Sequence, residues 1–164
     1  MSIAARTSKW LDMQGYALSE QEKRRLVVPI KVAPVLCTGV AAAALATQSA
    51  GGFALLALIA LAGAALPRHP FDYLYGWSLS RALGTGWAPR TPGRRKLQCG
   101  AASVMLAATA AAFGLGYTTA GIINGAAFLA VGITVTLTNW CVVLSLFDRL
   151  TALLRPAAEN AARQ

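Results

Sequence analysis

Polar and apolar residues divide this chain into long blocks. Residues 32–67 and 97–147 carry no charged side chain, whereas 1–26, 68–96 and 148–164 are rich in charge. A helix needs about 20 residues to cross a ~30 Å hydrocarbon core, so each uncharged block is long enough for two spans. Polar and glycine residues interrupt the first block at Gln48-Ser49-Ala50-Gly51-Gly52. This predicts helices over 27–47 and 51–66, the second ended by Pro67. The second block breaks near Gly114-Leu115-Gly116-Tyr117-Thr118-Thr119. This predicts helices over 97–116 and 121–147, the last long enough to tilt or to extend beyond the lipid. The expected fold is all-α: an integral membrane four-helix bundle made of two helical hairpins, 27–66 and 97–147. An N-terminal segment (1–26), a basic, aromatic central loop (67–96) and a tail (148–164) lie outside the membrane.

The polar segments carry local signals of their own. Ser19-Glu20-Gln21-Glu22 has the S-x-x-E form of a capping box, so a helix starts there and runs into the first span. Pro29 and Pro34 are expected to bend it near the lipid boundary. Lys31 lies within the apolar pattern, where its stem can snorkel to the interface. In the central loop, Pro67 and Pro70 bracket a turn. Residues 71–83 then read as a short interfacial helix, with Phe71, Leu74, Tyr75, Ser78 and Ala82 along one side.

Composition agrees with a membrane class. Hydrophobic residues make up 56% and charged residues 13%, about half the charge of a typical soluble domain. The polar start lacks the apolar core of a removable signal peptide, so the first apolar segment reads as a retained span. Of the 15 Lys and Arg, 14 lie in the three polar segments and Lys31 at the start of the first span, and the hairpin tips have none. The positive-inside rule then places both termini and the central loop in the cytoplasm. Basic residues beside helix ends attract anionic lipid headgroups. That accounts for the net charge of +9 without a nucleic-acid partner.

Candidate chemistry is sparse. His69, the only histidine, stands with Phe71, Asp72, Tyr73, Tyr75 and Trp77. Together with Trp87 these read as an anchor and interface at the headgroup boundary. His69 is also a candidate ligand for a porphyrin-type pigment. A catalytic reading needs a second convergent ionisable group, and only Arg68 and Asp72 are near in sequence, so no catalytic residue is assigned. Thr134, Thr138, Cys141 and Ser145 recur at helical spacing, and Gly121 and Gly125 form a GxxxG; both patterns read as helix packing. Apart from Lys31 at the edge of the first, the predicted spans hold no acidic or basic residue that would relay protons. Cys37, Cys99 and Cys141 fall within about 10 Å of the cytoplasmic boundary. They are candidate Cu(I) ligands or redox thiols, although no CxxC is present and each also suits a helix as a small apolar residue. No resident cofactor is expected. Phe-Asp-x-Leu follows both hairpins, at 71–74 and 147–150, as a parallel repeat would require.

The motifs Leu66-Pro67-Arg68-His69-Pro70-Phe71-Asp72, Gln98-Cys99-Gly100 and Thr138-Asn139-Trp140-Cys141 together resemble a family of bacterial four-span membrane proteins, catalogued as domain of unknown function 4395. The resemblance covers about residues 36–150. It implies a multi-pass protein of the bacterial inner membrane and brings no activity with it. Family members often have an acidic residue where Asn139 stands here. Short loops and spans rich in small residues add an expectation of function: a non-catalytic accessory or assembly subunit of a larger membrane complex, with other membrane subunits and the lipid bilayer as partners. The alternatives are a thiol-redox or Cu(I)-binding protein using Cys37, Cys99 and Cys141, and a small solute transporter.

Overall fold

A computed structural model describes the backbone of residues 3–161 and the side chains of 7–81 and 84–152. The described residues form seven helices and no strand: α1 (Ile3–Met13), α2 (Glu20–Ala46), α3 (Ala50–Ala65), α4 (Pro70–Leu83), α5 (Gly93–Gly114), α6 (Thr118–Thr138) and α7 (Val142–Ala161). Of these, α2, α5 and α6 are each long and apolar enough to cross a membrane. Helix α3 has 16 residues, about 24 Å at 1.5 Å per residue, and so falls short of the hydrocarbon core by itself. It breaks into α4 with a bend of 89°. Helix α4 therefore turns across the end of the bundle. The candidate spans number three, or four if the bent pair counts as one.

Local chemistry accounts for most helix ends. The Ser19 Oγ accepts from the Glu22 backbone N–H at 3.3 Å, and the Ser19 N–H donates to Glu22 Oε2 at 2.8 Å, closing the capping box that starts α2. The first hairpin turns at Gln48, whose φ is +48°, and Ser49 caps α3 by accepting from the Gly52 N–H at 3.0 Å. The second turns at Gly116, with φ +82°. Pro70 opens α4, where its missing N–H costs nothing.

Helix α3 packs along α5, α5 against α6, and α6 against α2. The core between them contains Ala41, Ala44, Phe53, Leu56, Ala57, Ala60 and Leu106. Phe53 and Phe113 stack within it at 5.7 Å. Gly121 and Gly125 are both buried, and a Cβ at Gly125 would lie 2.9 Å from Leu45 Cδ1. The outer faces are apolar as well: Leu58 is 64%, Ile123 65% and Val104 71% exposed. Surfaces of this kind, present on three helices, require lipid or protein cover rather than water.

The structure departs from the sequence expectations in three places. The last apolar stretch is not one helix to Phe147. Helix α6 ends at Thr138, because Asn139 takes the left-handed conformation (φ +55°) and its N–H closes on Val135 O at 3.1 Å. Cys141 falls in the break and Ser145 lies on α7, so Thr134, Thr138, Cys141 and Ser145 do not share a helix face. The Thr134 and Thr138 hydroxyls donate back to Ala130 O and Thr134 O within α6 rather than across to a neighbour. On α4, the buried side holds Asp72, Tyr75, Gly76 and Ser80, while Leu74 and Ser78 are exposed. Asp72 turns inward because a buried arginine faces it. The side chain of Ala82 lies outside the described residues. Finally, the N-terminal segment contains α1, which buries Trp10 and Leu11 with Tyr16 and Ile30. Lys31 lies 5.8 Å from the Trp10 ring centre, so its charge rests on an aromatic face.

Candidate functional site

The polar segments, distant in sequence, converge at one end of the bundle. The first turn of α5 supplies Arg94 and Arg95, which point to different neighbours. Arg94 donates to Met13 O at 3.1 Å and forms a short ion pair with Asp148, tying α5 to α1 and α7. Lys23 donates to Ser8 Oγ at 3.0 Å and pairs with Asp12 and Glu20, each at 2.8 Å, tying α2 to α1. Arg68 donates to Ala88 O at 2.9 Å and lies 5.7 Å from the Trp87 ring centre.

Arg95 is the centre of the buried part and is 4% exposed. It makes a short bond to the Tyr16 hydroxyl and longer contacts of 3.4 Å to Ile30 O and to Asp72 Oδ1. Asp72 is fully buried, and its second carboxylate oxygen has no partner among the described residues. Burial pushes its carboxyl above the usual range, while the adjacent Arg95 guanidinium pulls it back. Burial likewise raises the Tyr16 phenol, again opposed by Arg95.

His69, 3% exposed, caps α4: its Nδ1 accepts from the Phe71 N–H at 3.3 Å. The ring sits so close to α3 that a Cβ on Gly63 would lie 2.3 Å from it. Burial, reinforced by the Arg95 charge, lowers the imidazole pKa to about 4. His69 is therefore neutral near pH 7, with its proton on Nε2. In this tautomer the free nitrogen offers an N–H, not the lone pair that a metal or pigment needs.

Beneath this cap lies a cavity of about 120 Å³. Gln14, His69, Arg95 and Gln98 form its polar part; Ala33, Ala102, Met105, Phe128 and Val135 are among its apolar walls. Cys37 and Cys99 both line it. Cys141 does not; it is buried against Val135 and Leu144. All three cysteines are unpaired thiols. Among the described residues, no group of three or more His, Cys, Asp or Glu is arranged to hold a metal ion.

The remaining aromatics lie on the outer side of α4 and in the loop after it. Tyr73 stacks obliquely on Trp77 at 6.3 Å and meets Trp87 edge-on at 6.4 Å. Trp77 is 72% exposed. Tyr75 faces the other way, buried, with a short bond to the Thr85 hydroxyl. Phe71 is half-buried beside His69, with ring centres 5.5 Å apart. Sequence reasoning missed Tyr16, Arg95 and Gln14 as parts of this site. Nothing local marks them, and only the charge of Arg95, a misfit in the first turn of an apolar helix, was a usable hint. No family model, curated protein or solved structure matches the chain.

Proposed function

We propose that this protein is a non-catalytic accessory or assembly subunit of a larger membrane complex. In this reading it is a four-span bundle of the bacterial inner membrane, with α3 as the short fourth span, α4 at the headgroup level and both termini cytoplasmic. Kinship with the domain of unknown function 4395 proteins belongs to the same proposal. One observation carries it: the polar end uses its buried ionisable groups on itself and directs several aromatic and apolar groups outward. Arg94 pairs with Asp148, Arg95 with Asp72, Lys23 with Asp12 and Glu20, and His69 caps a helix. Leu74, Trp77, Leu79 and Trp140 remain 47% or more exposed. Paired charges hold a scaffold rigid, and outward aromatics suit a partner or the lipid boundary. Arg24, Arg25 and Arg90 are exposed at the same end and favour anionic headgroups.

The test is native mass measurement after mild extraction from the source membrane. A stoichiometric protein partner, lost in Leu74→Ser/Trp77→Ser while the chain still folds, supports the reading. A monodisperse monomer with solute uptake in liposomes overturns it in favour of a transporter.

A second reading has a specific observation behind it: Cys37 and Cys99 line one cavity. A thiol pair there suits dithiol–disulfide cycling or linear Cu(I) coordination, with Cys141 outside the pair. Copper bound stoichiometrically to purified protein, and absent from Cys37→Ala/Cys99→Ala, would favour it.

A further inference from the structure

The cavity under the polar cap has unused hydrogen-bonding groups at one end and hydrocarbon along most of its wall. Gln14 is 2% exposed and lines the cavity, and its Oε1 has no partner among the described residues. A buried amide oxygen left without a donor keeps the full cost of losing its hydration. His69 contributes an Nε2–H, since its Nδ1 is already occupied. Arg95 adds a guanidinium that lines the cavity and whose Nη atoms bond Tyr16, Ile30 and Asp72.

Charge restricts what can complete this end. Asp72 balances Arg95, and His69 is neutral, so the buried group has no net charge to offer. A carboxylate or phosphate entering here would leave a surplus negative charge away from water, which is strongly unfavourable. The Oε1 of Gln14 needs a donor, whereas the His69 Nε2–H and the Arg95 guanidinium can only donate. A hydroxyl supplies one donor and two lone pairs. The walls, built from Ala33, Ala102, Met105, Phe128 and Val135, favour a hydrocarbon body. At about 120 Å³ the space suits one ring rather than a lipid chain. Water would find few partners along such a wall.

We propose that the cavity capped by Gln14, His69 and Arg95 binds an uncharged, hydroxyl-headed apolar ring compound of the phenol or quinol class. The head lies between Gln14 and the Arg95–His69 pair, and the ring lies against Met105 and Phe128. This site is independent of the subunit reading, since its walls come mainly from α2, α5 and α6 and the proposed docking face is on the outer side of α4.

The probe is 4-(trifluoromethyl-diazirinyl)phenol, photolysed with the full chain in phosphatidylcholine nanodiscs, with adducts mapped by mass spectrometry. The expected result is saturable labelling at Met105 or Phe128. Labelling should fall at least tenfold with the methyl ether of the same probe, which cannot donate, and at least tenfold in Gln14→Leu. Ala102→Phe, which fills the cavity, should abolish it. Labelling that does not saturate, that is spread over outward residues such as Leu58 and Val104, or that is equal for phenol and ether overturns the proposal. Should either variant fail to fold, the phenol–ether comparison on the unaltered chain decides.

Discussion

Arg95 and Asp72 face each other with almost no access to water: Nη2 lies 3.4 Å from Oδ1, with the side chains 5% and 0% exposed. The pair joins α5 to α4, and through Tyr16 and Ile30 O the same guanidinium reaches the α1–α2 connection and α2. Removing one member of a buried pair leaves the other charge uncompensated, at a cost of about 3–5 kcal/mol. Asp72→Ala should therefore lower the thermal midpoint of the detergent-solubilised protein sharply. The double variant Asp72→Leu/Arg95→Met should recover much of the loss. Arg95→Lys should not restore full stability, because one ammonium cannot reach three acceptors in the geometry of a planar fork. A double variant no more stable than Asp72→Ala would contradict this account of the pair.

His69 should make stability depend on pH. Its pKa in the folded protein is lowered to about 4 from 6.5. The unfolded chain therefore binds the proton more readily. This contribution is fully present above pH 6.5 and is lost as pH falls from there towards 4. The shift corresponds to about 3 kcal/mol at most. The charged or titratable groups nearby are Arg68, Asp72, Arg95, Cys37 and Cys99, and the raised carboxyl of Asp72 acts with the opposite sign. The informative measurement is therefore a difference. Unfolding midpoints of the wild type should fall between pH 7 and 5 more steeply than those of His69→Asn, which keeps a helix-capping side chain. Parallel curves would count against the buried neutral imidazole.

Close helix approach should make Gly125 intolerant of size. A Cβ there would lie 2.9 Å from Leu45 and 3.3 Å from Phe53. Gly125→Val should cost about 1–3 kcal/mol through overpacking. Gly39, also within a helix, has nothing within 4 Å of such a Cβ. Gly39→Ala should be neutral or should stabilise by up to about 1 kcal/mol through helix propensity. Chemical unfolding in mixed micelles measures both, and equal effects would refute the packing argument.

The break after α6 should tolerate glycine and reject branched residues. Asn139 holds φ +55° and donates through Nδ2 to Thr7 at 3.3 Å. Asn139→Gly keeps the left-handed turn and loses that bond. Asn139→Ile should cost about 1–2 kcal/mol from the backbone alone. Spin-label distances between α6 and α7 should stay unchanged in the first variant and change in the second.

The orientation proposed above is checked from outside the cell. A membrane-impermeant thiol reagent should reach a cysteine placed at Thr119 in a chain whose native cysteines are replaced. It should fail to reach one placed at Arg90, and the reverse pattern would invert the topology.

The sequence alone determined whatever depends on neighbours along the chain. Helical content, both hairpin turns, the Ser19 cap and the uncharged blocks were legible because they rest on periodicity, on residues with special backbone preferences and on the absence of charge. The end of α6 was not. Apolar residues continue past Thr138 to Phe147, and an asparagine does not by itself stop a helix. What sets the break is the burial of Cys141 and Leu144 against Val135, together with the Asn139–Thr7 bond across 132 positions. The polar cap was hidden for the same reason. Arg95 meets Asp72 and Tyr16 across separations of 23 and 79 residues, and Cys37 shares a cavity with Cys99 only because α2 and α5 are brought together in the bundle. Such pairings depend on how helices stack. A local pattern can say that a helix forms and which residues it carries, but burial of a charge or the shape of a cavity is decided by elements that meet only after folding.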